Sequence, residues 1–115
     1  MKPKLYGIKN CDSVKKALKF FKNHDIDFDF IDLKLLSPSE ETLLNWSNQA
    51  TLAKLFNNRS RTYKDLGLST MELSDTDKIS WMHKAPLLIK RPVIEYNENL
   101  LVGFDEATYL GVFTS

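Results

Sequence analysis

The sequence contains a single cysteine, and this scarcity limits the thiol chemistry that the chain can perform. One cysteine cannot form an internal disulfide, so neither a disulfide-stapled fold nor an internal redox switch is available. The lack of disulfides fits a reducing compartment, and we predict a cytoplasmic protein. If the cysteine is oxidised during function, a thiol from outside the chain must reduce it again.

Several other features are also missing. His24 and His83 lie far apart with no cysteine pair beside them, so no metal is expected. The formal net charge is +1, which gives no basic field for nucleic acid or an anionic membrane surface. No apolar run approaches the roughly 20 residues that span a bilayer, and the first residues lack the apolar core of a signal peptide. With 115 residues, of which 43% are hydrophobic, the expectation is one globular domain, residues 1–115.

The single cysteine, Cys11, lies between a short apolar run and the opening of a predicted helix. Residues 5–8 form that run, which ends at Lys9 and Asn10. A thiol at a helix N-terminus faces unpaired N–H groups and the positive end of the helix dipole, and both favour the thiolate. Lys9 adds a nearby cation. Isolated cysteines are often small buried apolar residues, but the polar flanks favour an exposed, nucleophilic Cys11.

Hydrophobic spacing predicts a helix over residues 12–23 and a strand over residues 26–30. The apolar face of the helix consists of Val14, Ala17, Leu18 and Phe21. The strand alternates apolar residues with Asp27 and Asp29, which predicts one buried and one wet face. Alternation explains these two aspartates more simply than a catalytic pair of carboxylates does.

The middle of the chain is predicted to be helical. The first helix of this region starts at Ser37, whose side chain would cap it, with Glu40 completing an S-x-x-E capping box. A short second helix is expected over residues 52–56. Ser74 and Asp77 then open another helix with the same type of start signal.

A polar loop over residues 57–63 separates these helices and contains Arg59 and Arg61. It has two interpretations, a plain connector or an anion clamp over the thiol. The residues themselves leave both interpretations open.

The last third of the chain predicts a β-hairpin followed by a helix. Strands are expected over residues 93–96 and 100–102, with a turn between them, and Asp105 would cap a helix over residues 106–110. The complete order is β-α-β, then helices, then β-β-α. Because a helix connects the first two strands they should be parallel, and the hairpin should add antiparallel strands. The predicted fold class is α/β, with a four-stranded mixed sheet flanked by helices and a helical insertion in the middle.

Three stretches of the chain carry a family resemblance. In order they are KLYGIKNCDSVKKAL, NNRSRTYKDLGL and PLLIKRPVIEYNENLLVGF. Together they resemble the ArsC/Spx/YffB family, the arsenate-reductase-like branch of the thioredoxin superfamily, and within it YffB-like proteins most. The resemblance implies a thioredoxin-like fold, a catalytic cysteine at Cys11, and a cis proline at Pro92 beside the thiol.

The resemblance also implies an activity. We expect a thiol-dependent oxidoreductase with one nucleophilic cysteine and glutathione as co-substrate, acting on a small thiol or oxyanion, with glutaredoxin as a candidate partner. The residues expected to bind the substrate or anion are Lys9, Asn10, Arg59, Arg61, Arg91 and Pro92. The alternatives are a glutathione- or glutaredoxin-coupled arsenate reductase and a non-catalytic module like the Spx branch, which docks on RNA polymerase.

Two departures from the family pattern affect these expectations. The C-x-x-C motif common in the Spx branch is absent, because Val14 stands three residues after Cys11. The arsenate reductases that this chain resembles use three arginines around the oxyanion, and only Arg91 matches cleanly. The other two positions fall at about Asn57 and near Gly103. We therefore expect weak or absent arsenate reduction.

Overall fold

The computed structural model describes residues 2–114, and contacts along the chain divide it into two compact units. The first unit joins the N-terminal segment that ends at Asp32 to the C-terminal segment that starts at Arg91. The second unit is the stretch between them, Leu33–Lys90. The organisation as one domain stays a prediction.

The strands and helices follow the predicted order. The strands are β1 (Lys4–Gly7), β2 (Asp29–Asp32), β3 (Val93–Tyr96) and β4 (Asn99–Val102). The helices are α1 (Asp12–Asn23), α2 (Glu40–Ala50), α3 (Leu52–Leu55), α4 (Arg61–Asp65), α5 (Asp75–Lys84) and α6 (Glu106–Phe113). All four strands, α1 and α6 belong to the first unit, and α2 to α5 form the helical insertion.

The sheet has the strand order β2-β1-β3-β4. β1 and β2 are parallel, whereas β3 is antiparallel to both β1 and β4. Tyr6 lies opposite Val93, so the C-terminal end of β1 and the N-terminal end of β3 share one end of the sheet. The predicted four-stranded mixed sheet is confirmed.

Helices α1 and α6 pack on one face of this sheet. Leu5 and Ile94, which lie opposite each other on β1 and β3, contribute that face to the core. The buried cluster comprises Leu5, Val14, Ala17, Phe20, Phe21, Ile94 and Tyr109. α1 approaches β1 closely, because a Cβ atom added at Gly7 would lie 2.8 Å from Cγ2 of Val14. This close approach places the N-terminus of α1 over the end of β1.

The largest differences between predicted and observed boundaries lie at the start of β2 and at the end of α6. β2 begins at Asp29 instead of residue 26, because its first partner on β1 is Lys4, opposite Asp29. Ile26 and Phe28 still pack against the core cluster, as the alternation predicted. α6 continues to Phe113 instead of residue 110, and the Phe113 ring packs against the same cluster.

The N-cap of α2 was predicted wrongly. Ser39, not Ser37, caps the helix and accepts a hydrogen bond of 3.1 Å from the Thr42 amide. The Ser37 hydroxyl donates to the carbonyl of His83 on α5 instead. A cap must reach an N–H two or three residues further on, and in this geometry Ser39 meets that condition.

The polar loop over residues 57–63 is partly helical. Ser60 accepts a hydrogen bond of 3.1 Å from the Tyr63 amide and so caps α4, which starts at Arg61. The predicted capping box of α5 is present, since the Ser74 hydroxyl and the Asp77 carboxylate each accept from the other's amide. Hydroxyl caps therefore define several helix starts in the second unit.

No helix within residues 2–114 is long and apolar enough to cross a membrane. Over the same residues, no group of three or more His, Cys, Asp or Glu side chains could hold a metal ion.

Candidate functional site

Cys11 lies at the junction that the sequence predicted. It is the N-cap residue of α1, with an extended backbone (φ −141°, ψ 127°), and its carbonyl accepts the first helical hydrogen bond from Lys15 at 2.9 Å. Its thiol is half-buried, packed partly against the core cluster, and makes no capping hydrogen bond with the described residues. The thiol is therefore held near the free N–H groups of a 12-residue helix while part of it faces solvent.

The residues just before Cys11 form an exposed bend. Lys9 and Asn10 are both exposed, whereas Ile8 anchors the bend from within the core. Asp12, in the first turn of α1, is exposed as well. Lys9 and Asn10 thus directly precede Cys11 on an exposed bend, and their role in binding stays a prediction.

Arg91 and Pro92 lead into β3 at the same end of the sheet. The peptide bond between them is cis, as the resemblance implied. Pro92 is buried, while Arg91 is half-buried and its Nε atom is inaccessible to solvent. Since Tyr6 faces Val93, the register brings Pro92 to the end of β1 from which the chain continues to Cys11.

A third segment of the first unit joins this region after β4. The Gly103 amide donates a hydrogen bond of 2.8 Å to the Pro92 carbonyl. The Gly103 carbonyl accepts one of 2.6 Å from the Tyr109 hydroxyl on α6. Gly103 lies near the position expected for the family's third arginine. Its backbone, with φ +83°, instead connects Pro92 to Tyr109.

Arg59 and Arg61 belong to the second unit and lie at the start of α4. Both are exposed, and the Asn57 side chain accepts a hydrogen bond from the Arg59 amide at 3.2 Å. The Arg61 side chain is 93% exposed and approaches the Asp65 carboxylate at 3.8 Å. A contact of either guanidinium with Cys11 stays a prediction.

The sequence pattern missed two residues of this region. Gly103 was interpreted as lying near the position of a missing family arginine, and Tyr109 only as part of the last helix. A glycine directly after a strand is a usable signal for positive φ. The hydrogen bond of Gly103 to Pro92 continues the predicted hairpin by one pair. The bond from the Tyr109 hydroxyl to the Gly103 carbonyl carried no signal in the sequence, because no spacing rule pairs a carbonyl after a strand with a side chain in the next helix.

The sheet and its helical insertion form the thioredoxin-like fold that the family resemblance implied. The chain belongs to the ArsC family, whose profile matches residues 6–112.

Two relatives illustrate the range of the family. An uncharacterized protein of Haemophilus influenzae is 38% identical over 117 residues, covering 95% of this chain and 96% of that protein. The global transcriptional regulator Spx 2 of Bacillus cereus is 27% identical over 107 residues, covering 89% of this chain and 79% of the regulator.

Two solved structures resemble nearly the whole chain. The YFFB (PA3664) protein superposes with a TM-score of 0.89 at 32% identity, over 96% of this chain and 97% of that one. The arsenate reductase from Vibrio cholerae superposes with a TM-score of 0.84 at 25% identity, over 98% of each chain. The fold is therefore arsenate-reductase-like, within a family that contains both a reductase and a regulator by name.

Proposed function

We propose that this protein is a thiol oxidoreductase that catalyses thiol–disulfide exchange with glutathione through Cys11. The observation that carries the proposal is the position of the thiol. It is half-buried at the N-terminus of α1, at the end of the sheet where the Arg91–Pro92 segment begins β3. A helix N-terminus stabilises a thiolate through its free N–H groups and its dipole. Such a thiolate attacks disulfides.

The proposed reaction has two steps of disulfide exchange. The Cys11 thiolate attacks the glutathione sulfur of a mixed disulfide, a Cys11–glutathione disulfide forms, and the other thiol leaves as its thiolate. A second glutathione thiolate then attacks this adduct, which forms glutathione disulfide and returns the Cys11 thiolate. Each turnover therefore converts one mixed disulfide and one glutathione into one free thiol and one glutathione disulfide. The outside thiol is required because the chain has one cysteine.

Anion binding is assigned to the residues around the thiol. We propose that Arg91 holds a glutathione carboxylate, since a guanidinium offers a planar two-pronged donor set. Lys9 and Asn10 are proposed to contact the substrate from the exposed bend, and Pro92 to form a wall beside it. Arg59 or Arg61 is proposed to assist.

Glutathione binding requires fewer arginine side chains than arsenate binding does. Each charge-assisted hydrogen bond that is missing from an oxyanion site costs about 1.5–3 kcal/mol. Two missing guanidinium groups would therefore cost roughly 3–6 kcal/mol, a rate loss of about a hundredfold to ten-thousandfold. The carboxylates of glutathione are spread out and can use backbone groups and one arginine. This difference places glutathione exchange ahead of arsenate reduction.

The test is a glutathione-exchange assay, which measures release of glutathione disulfide from the mixed disulfide of glutathione and 2-mercaptoethanol in excess glutathione. We expect turnover by the wild type, a Cys11–glutathione adduct by intact mass spectrometry, and neither with Cys11→Ser. Arsenate reduction should be assayed in parallel, with glutathione alone and with glutaredoxin as electron donor.

Two other outcomes would displace the proposal. Robust arsenate turnover would favour the activity named for the Vibrio cholerae relative, and would require a second anion clamp in this chain. No Cys11-dependent reaction in either assay would favour a non-catalytic binding module related to the regulators. The proposed site of action is the reducing cytoplasm, where glutathione can serve as the electron source.

A further inference from the structure

Two consecutive hydrogen bonds connect α6 to the start of β3. The Tyr109 hydroxyl donates to the Gly103 carbonyl at 2.6 Å. The Gly103 amide donates to the Pro92 carbonyl at 2.8 Å. One glycine residue therefore links a side chain of the last helix to the segment that carries Arg91.

The hydroxyl of Tyr109 is held in a fixed direction. The residue is 1% exposed, and its ring packs edge-on against Phe20 and Phe104, with centroid distances of 5.4 and 4.8 Å. Burial raises the pKa of Tyr109, so its hydroxyl stays protonated and able to donate throughout the neutral range. A Tyr109→Phe substitution would keep this ring packing and remove only the donor.

Gly103 has a backbone that an L side chain rarely adopts, with φ +83°. No described atom outside its chain neighbours lies within 4 Å of an added Cβ, so room is not the reason for glycine at this position. The backbone conformation is the reason, because it turns the amide towards Pro92 and the carbonyl towards Tyr109.

We propose that Tyr109 is a positioning residue for glutathione binding, acting through Gly103 on the Arg91–Pro92 segment. This inference rests on the proposed function. Tyr109 does not touch the substrate in this proposal. Its hydroxyl limits the positions that the Gly103 peptide can take, and the Gly103 amide in turn holds the Pro92 carbonyl. The guanidinium of Arg91 then starts from a backbone that is already in place, which lowers the ordering cost of binding.

Tyr6 provides a matched control. Its hydroxyl also makes a hydrogen bond, 2.9 Å to the Glu95 carboxylate, and burial is the main cause that raises its pKa. The bond lies in the same unit but does not include Gly103 or Pro92. Tyr6→Phe therefore removes a comparable hydroxyl without breaking the proposed connection.

The experiment is a double-mutant cycle in the glutathione-exchange assay, using Tyr109→Phe, Arg91→Ala and the double variant. We expect Tyr109→Phe to raise KM for the mixed disulfide about three- to tenfold and to change kcat less than about twofold. In the Arg91→Ala background the same substitution should change kcat/KM less than about twofold. In Tyr109→Phe, the rate at which iodoacetamide alkylates Cys11 should stay within about twofold of the wild-type rate. The KM of the control variant Tyr6→Phe should stay within about twofold of the wild-type KM.

Three results would overturn the inference. They are an unchanged KM in Tyr109→Phe, an equal effect with and without Arg91, or an equal effect of Tyr6→Phe. If Tyr109→Phe does not fold, Gly103→Ala tests the same connection from its centre, because it disfavours the backbone that makes both hydrogen bonds. It should raise KM in the same way and leave the alkylation rate unchanged, and an unchanged KM would contradict the inference.

A measurement without turnover separates this inference from the proposed function. The Nε–H resonance of Arg91 in a heteronuclear NMR spectrum should move in Tyr109→Phe and stay in place in Tyr6→Phe. If the wild type is inactive but the Arg91 resonance still moves on Tyr109→Phe substitution, glutathione exchange is refuted and the positioning role is supported. A resonance that does not move would refute the positioning role whether or not the wild type is active.

Discussion

Different kinds of interaction stabilise each of the two units of the chain from within. In the first unit, strands from both ends of the sequence pair, and an aromatic cluster packs against them. In the second unit, short helices begin at hydroxyl caps, as at Ser39, Ser60 and Ser74. Long-range pairing thus defines the first unit, whereas many of the defining contacts in the second are local.

The difference matters for the candidate site. Register brings Cys11 and Pro92 to one end of the sheet although they are distant in sequence. In the second unit, Arg61 is the first residue of a five-residue helix and approaches a carboxylate four residues further on, and Arg59 lies in the exposed segment just before that helix. A residue that the sheet positions is preorganised for binding, whereas a residue on a short exposed helix is held less firmly.

The largest expected effect tests whether the two units unfold together. We propose that they do, as one domain. Phe21 is fully buried in the first unit, and Phe21→Ala should lower the free energy of unfolding by about 3–5 kcal/mol. Both tryptophans, Trp46 and Trp81, lie in the second unit, so their fluorescence reports on it alone. The urea unfolding midpoints of Phe21→Ala measured by fluorescence and by far-UV circular dichroism should shift together. A fluorescence midpoint that stays at the wild-type value would show that the units unfold separately.

The next prediction compares the arginines of the two units. Arg91→Ala should raise KM in the glutathione-exchange assay about ten- to hundredfold, because a charge-assisted hydrogen bond is lost from a half-buried position. Arg59→Ala and Arg61→Ala should each have a smaller effect, since both side chains are exposed. An effect of Arg59→Ala or Arg61→Ala as large as that of Arg91→Ala would reverse the comparison and support the anion-clamp interpretation of the loop.

A third prediction concerns the contact that places α1 over β1. Gly7→Ala should destabilise the protein by about 1–3 kcal/mol, because its Cβ would overlap the branched side chain of Val14. Gly111→Ala in α6 is the matched control. Beyond its chain neighbours and the backbone of its own helix, its Cβ would meet no described atom within 4 Å, and alanine favours helix, so it should be neutral or stabilise by up to about 1 kcal/mol. Equal urea midpoints for the two variants would contradict the close approach of α1 to β1.

A fourth prediction tests the cap of α2 in the second unit. Ser39→Ala should cost about 1 kcal/mol, because it removes the acceptor for the Thr42 amide. Ser37→Ala should cost less, since its exposed hydroxyl donates to the carbonyls of His83 and Pro38 and caps no helix. Urea midpoints measured side by side provide the comparison. A larger loss for Ser37→Ala would mean that the capping box predicted from the sequence is the one that operates.

The last prediction concerns the pH dependence of stability in the first unit, an effect that appears only in alkali. Burial raises the pKa of Tyr109 above its usual value of 10.0, so the folded state keeps the neutral phenol when the unfolded chain has begun to ionise. The stabilisation is fully present below pH 10.0 and is lost as the pH rises through the raised pKa. Tyr109→Phe should therefore show a shallower alkaline loss of stability than the wild type. Urea midpoints measured from neutral pH to above the usual tyrosine pKa check this, and parallel curves would contradict it.

The sequence alone determined the features that depend on short-range patterns. The bounds of α1 and β3, the position of Cys11 between β1 and α1, and the Asp105 cap all agree with the prediction. Helical and alternating spacing record which face of an element is buried, and cap residues act over two or three positions. The family resemblance added the cis bond before Pro92, which spacing could not have indicated.

Only the tertiary structure decided features whose partners are remote in sequence. The Ser37 hydroxyl meets the carbonyl of His83, and β2 starts where Lys4 provides a partner. The pairing of β1 with β3 likewise brings Pro92 to the end of the sheet where Cys11 follows β1. Such contacts exist only after distant segments have packed, and no local pattern of residue types records which partner each polar group will find.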